Sequence, residues 1–121
     1  MTPRIIALVP DLLVGSRIEE AARRLGAQAV GASSQVEAIN LIRDGARLLI
    51  VDLGERGLDL AELAEASGRA GVPVIAFGPH VDQERRREAQ AAGIQRVYAR
   101  SRFLQDTQAV LAEQMAQRTE S

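Results

Sequence analysis

Two aspartates, Asp11 and Asp52, each close an apolar run, Ile-Ile-Ala-Leu-Val-Pro before the first and Leu-Leu-Ile-Val before the second. Carboxylates delivered together from two strand ends suit three tasks. They can share a cation, and Asp52 can accept a group on its oxygen. Each can also serve its own backbone, Asp11 by capping the helix that Pro-Asp-Leu-Leu permits and Asp52 by accepting from nearby amides. Four further stretches bear on the same chemistry. Gly78-Pro79-His80 and Arg100-Ser101-Arg102 follow later apolar runs, and Arg100 or Arg102 could hold an anion. Gly15-Ser16-Arg17 could bind an anion through backbone amides, or be an ordinary part of a helix. His80, the only histidine, has no cysteine or second histidine beside it, so a solvated loop is the simpler reading. Arg85 to Arg87 lie between Glu84 and Glu88, a pattern expected of a solvated helix face with paired charges.

Composition removes several kinds of function. All fifteen lysine-or-arginine positions are arginine, so mechanisms that need an ε-amine are excluded. There is no cysteine for thiolate chemistry or disulfides. A formal net charge of −1 argues against a nucleic-acid binder that works by neutralising phosphates. Phe77, Tyr98 and Phe103 are the only aromatic residues, too few for a base-stacking platform. No apolar run reaches the roughly 18 residues of a membrane span, and no signal peptide is visible, so a cytoplasmic protein is expected. No nucleophile and base can be paired, which argues against an enzyme.

The elements that must position these residues follow from periodicity. Leu48 to Val51 is apolar without alternation, which requires a strand buried on both faces. Arg4 to Val9, Ala27 to Ala32, Val72 to Phe77 and Ile94 to Ala99 read as four more strands. Between them, helical spacing gives an apolar stripe of Leu13, Val14, Ile18, Ala21, Ala22 and Leu25, and another of Val36, Ile39, Leu41 and Ile42. Ser33 or Ser34 caps the second helix, with Glu37 three residues after Ser34 as in a capping box. Asp59 caps a third over Leu60 to Arg69, Asp82 starts a polar fourth ending near Gly93, and a last helix runs from Phe103 to about Gln117. Alternating strands and helices predict an α/β fold, one doubly wound five-stranded parallel sheet in the order 2-1-3-4-5, with residues 1–121 as one domain. That order puts its switch point between the first and third strands and so gathers Asp11, Asp52, Gly78 and Arg100 to Arg102 at one rim.

At this point the chain resembles the receiver domain of bacterial response regulators. The resemblance rests on Leu-Ile-Val-Asp-Leu around Asp52, Val-Pro-Val-Ile-Ala-Phe in the fourth strand, Ala-Gly-Ile after the fourth helix and Tyr98 in the fifth strand. It implies a flavodoxin-like, receiver-like fold with Asp52 at the phosphoacceptor position. Asp11 falls at one of two acidic magnesium positions, and Pro10 at the other. The switch hydroxyl position falls on Gly78 and the lysine position on Ser101. Lysine, hydroxyl and one carboxylate are therefore all missing, and phosphoryl transfer depends on such charge compensation. The expectation is a degenerate pseudo-receiver: a non-enzymatic two-component signalling or adaptor module without normal aspartyl phosphorylation. Its partner would be a protein, including a second copy, bound through the fourth helix, fifth strand and last helix, with no nucleic acid or membrane involved. Adjacent strand residues point to opposite faces, so one of Arg100 and Arg102 would reach the pocket. Two alternatives stay open. One is a phosphorylatable receiver with arginine replacing lysine, in which Asp11 and Asp52 hold magnesium weakly. The other is a small-ligand or nucleotide binder at the strand ends.

Overall fold

The computed structural model describes residues 2–79, 83–94 and 96–119. The readings of His80 as a loop residue and of Asp82 as a helix start lie outside them. The described residues form β1 (Arg4–Leu8), α1 (Leu12–Arg24), β2 (Gln28–Gly31), α2 (Gln35–Arg43), β3 (Leu48–Asp52), α3 (Leu60–Ala70), β4 (Val74–Gly78), α4 (Gln83–Ala92), β5 (Arg96–Ala99), α5 (Arg100–Gln105) and α6 (Thr107–Thr119). The sheet is parallel throughout, in the order β2-β1-β3-β4-β5. Leu8 lies beside Val51, and Asp52 beside Phe77. The carboxyl ends of β1, β3 and β4 thus open on one rim.

Side-chain alternation along the strands divides the core into two layers. Ile6, Leu8, Leu49, Val51 and Ala76 pack with Ile39, Ile42, Leu60, Leu63 and Ala89 from α2, α3 and α4. Ile5, Ala7, Leu48, Ile50, Ile75 and Phe77 pack with Val14, Ile18, Phe103, Val110 and Leu111 from α1, α5 and α6. All four residues from Leu48 to Val51 are fully buried, as the unbroken apolar run requires. At roughly 1.5–3 kcal/mol per buried aliphatic side chain, this central strand anchors both layers.

The helix starts follow the sequence. Ser34 accepts from the Glu37 amide at 3.1 Å, and the Glu37 carboxylate accepts from the Ser33 amide at 2.9 Å. Asp59 accepts from the Glu62 amide at 3.0 Å. At the other end of α2, the Arg4 guanidinium donates to the carbonyl of Leu41 in the helix's last turn and to that of Gly45 just beyond it.

Two expectations are corrected. The last helix is two, because Asp106 leaves helical geometry at φ −119° and ψ 32°. The Thr107 hydroxyl ties the junction by donating to the Phe103 carbonyl at 2.7 Å. Secondly, Leu13 and Val36 are not core residues: they are 70% and 69% exposed. Leu13 stands in line with exposed Arg17, Glu20 and Arg24 on the outer face of α1, and Val36 with exposed Asn40 and Arg43 on that of α2.

Candidate functional site at the rim of the sheet

Asp52 is the last residue of β3 and, by alternation, faces the same side as Leu48 and Ile50, toward α1 and α5. It is buried, and its Oδ1 accepts from the Gly54 amide at 2.8 Å. A side chain at Gly54 would bring a Cβ to 3.1 Å from that oxygen, so the turn leaves room for backbone only. Asp11 is the N-cap of α1, its Oδ1 accepting from Leu13 at 2.9 Å and Val14 at 3.3 Å.

The outer oxygens of both carboxylates face one arginine. Arg100 Nη2 donates to Asp11 Oδ2 at 2.6 Å, and Nη1 stands 3.9 Å from Asp52 Oδ2. Arg100 is the first residue of α5, and Phe103 explains its direction. Residues three apart share a helix face. Phe103 is fully buried and stacks on Phe77 with ring centroids 4.6 Å apart, which turns Arg100 inward as well. The hydrogen bond from Arg100, then those from Val14 and Leu13, hold the Asp11 carboxyl below the usual carboxylate range.

Ser101 and Arg102, expected among the pocket residues, are exposed. The strand-alternation argument for Arg100 and Arg102 does not apply, because β5 ends at Ala99 and both arginines are helical. Gly78 is buried at the end of β4, and a Cβ there would meet the Leu53 Cβ at 3.1 Å. A side chain at this position is crowded by the residue after Asp52, which must give by a few tenths of an ångström to admit it. The anion reading of Gly15-Ser16-Arg17 is also corrected: the stretch is helical, the Gly15 amide bonds the Asp11 carbonyl, and Arg17 donates to the Leu104 carbonyl at 3.3 Å. Arg85 pairs with Glu88 at 2.7 Å as expected of a charged helix, but it is half-buried and lies against the carbonyls of Leu53 and Glu55 at 3.4 Å.

A magnesium ion needs about six oxygens in near-octahedral array. The donor set does not fit it. One oxygen of each carboxylate is committed to backbone amides, the other faces the guanidinium, and Pro10 adds no side-chain donor. Among the described residues no cluster of three or more acidic or histidine side chains could hold a metal. Sequence reasoning missed Leu53, whose role depends on cross-strand register.

No protein-family model and no curated protein matches the chain. Solved structures do. A receiver domain protein (CheY-like) from Methanospirillum hungatei JF-1 aligns at 16% identity with a TM-score of 0.81, covering 99% of this chain and 98% of that one. A response regulator from Thermotoga maritima gives 16% and 0.78, covering 96% and 99%. An orphan response regulator of H. pylori gives 16% and 0.77, covering 93% and 96%. Over nearly its whole length, this chain therefore has the fold of response-regulator receiver domains.

Proposed function

We propose that the chain is a signalling adaptor that keeps the receiver fold, does no enzymatic chemistry and acts by associating with a protein partner. The observation that supports this is Arg100, whose guanidinium lies against Asp11 and faces Asp52. A tethered cation offsets part of the charge of the two carboxylates, so a metal ion is not needed to hold them side by side. Gly78 and Leu53 add to the case, since the end of β4 carries no hydroxyl and Leu53 crowds its place. The charged surface of α4, β5 and α6, where Arg96 approaches Glu113 at 3.7 Å, is one candidate face for a partner or a second copy.

The test is intact-mass measurement after incubation with acetyl phosphate and magnesium. This reading expects no mass increase. A second reading rests on the same 3.9 Å approach, with Arg100 acting as the cation for a phosphoryl group on Asp52. It expects an added phosphoryl mass that Asp52→Asn abolishes.

A further inference from the structure

α4 differs from the helices before it in what holds it to the sheet. Ala89 is the only buried residue among its described residues, whereas α1 buries Val14 and Ile18, α2 buries Ile39 and Ile42, and α3 buries Leu60 and Leu63. An alanine removes far less apolar surface from water than these side chains do, and the hydrophobic contribution scales with that area. The charges of α4 also run against its dipole. Arg85, Arg86 and Arg87 stand in its amino-terminal half and its last turn holds no basic residue, while α1, α2 and α3 each carry arginine in the last turn. Cations near the positive end of a helix cost stability.

Two of the three arginines reach the sheet. Arg86 Nη2 donates to the Val97 carbonyl on β5 at 2.9 Å. Arg85 Nε and Nη2 donate at 3.4 Å to the carbonyls of Leu53 and Glu55 in the loop after β3. Since β4 lies between β3 and β5, α4 is tied down on both sides of the strand it crosses. A slot of about 10 Å³, with scarcely room for one water, has Leu53, Gly78, Val97, Arg85 and Arg86 among its walls. Arg87 is exposed and reaches no carbonyl among the described residues.

We propose that α4 is docked by Arg85 and Arg86 in place of an apolar face, and that it detaches as a unit, ahead of the rest of the fold, when these two arginines let go. The carbonyls explain why arginines stand at helix positions where the dipole disfavours them. Such bonds break without dismantling a packed core, so detachment exposes little surface. It opens the slot over Leu53 and Val97 and displaces one side of the face formed by α4, β5 and α6. The device stands whether or not the adaptor reading holds and whether or not Asp52 accepts phosphate.

Native-state hydrogen exchange on the whole chain, followed amide by amide at low urea, tests this. The α4 amides from Arg87 to Ala92 should exchange about tenfold or more faster than those of β3, after correction for intrinsic rates, and with a weaker dependence on urea. Asp59→Ala, which weakens α3, should speed β3 and leave α4 as it was. Arg86→Ala should speed α4 exchange about threefold to tenfold, and Arg85→Ala should act in the same direction. Arg87→Ala should slow it or leave it unchanged, because alanine is the better helix former and a cation leaves the positive end. A helix weakened by its own composition alone would be slowed by all three substitutions. That result, no acceleration by Arg86→Ala, or α4 and β3 amides exchanging together in the unaltered chain would each overturn the proposal. The last comparison needs no variant and decides if one fails to fold.

Discussion

Arg100 has a neighbour on each side of its guanidinium, and the two interactions differ in kind. The 2.6 Å contact with Asp11 is a charge-assisted hydrogen bond, whereas the 3.9 Å approach to Asp52 is electrostatic only. Removing the arginine by Arg100→Ala leaves the buried Asp52 carboxylate with one backbone partner, at a cost of about 1 kcal/mol readable in urea melts. Asp11 gives a pH signature with a definite sign. Its carboxyl titrates lower in the fold than the ordinary 3.8, so protons favour the unfolded chain. Its contribution is complete above the ordinary value and is lost as pH falls through the lowered folded value. Wild type should therefore exceed Asp11→Asn in stability at neutral pH, with the gap closing under acid; a gap that widens below pH of about 4 would contradict this. Gly78→Ala should cost about 1 kcal/mol, because the new Cβ must displace the Leu53 Cβ and no rotamer change moves that atom.

Among the elements, those specified by local chemistry were legible in the sequence. The apolar run of Leu48 to Val51 could only be a central strand, and Ser34 and Asp59 announced their helices through side chains able to accept from the first-turn amides. Asp59→Ala should therefore destabilise the fold by about 1 kcal/mol in thermal or chemical melts, while Asp59→Asn should be nearly silent. Strand-end reasoning also brought Asp11, Asp52 and Arg100 to one rim. The break at Asp106 was hidden, since nothing in Phe-Leu-Gln-Asp-Thr interrupts helical spacing; it depends on Phe103 docking on Phe77 and on the Thr107 hydroxyl turning back to the Phe103 carbonyl. Leu13 and Val36 face water because each sits to the side of its helix's buried stripe, over Arg17 and Asn40 one turn on, and an apolar residue type at a helix start does not by itself place a side chain on that stripe. The crowding of Gly78 by Leu53 was out of reach for a different reason: it is set by two strands side by side.

For the molecule as a whole, the receiver fold persists around a rim where an arginine faces both carboxylates. The acidic pair is held by a half-buried arginine, the β4 end carries a glycine crowded by Leu53 in place of a hydroxyl, and Arg85 braces the loop after Asp52 through its carbonyls. Under the proposed adaptor function the chain acts through what it binds, which directs attention to its surfaces. The central claim is that Arg100 is the resident cation of this rim. Titrating magnesium, alone and with beryllofluoride, into the isotope-labelled chain while following the Asp11, Gly54 and Arg100 side-chain and amide resonances tests it directly. The account predicts only small, unsaturating shifts with the Arg100 guanidinium signal unmoved; saturable shifts at Asp11 and Gly54 with displacement of that signal would contradict it.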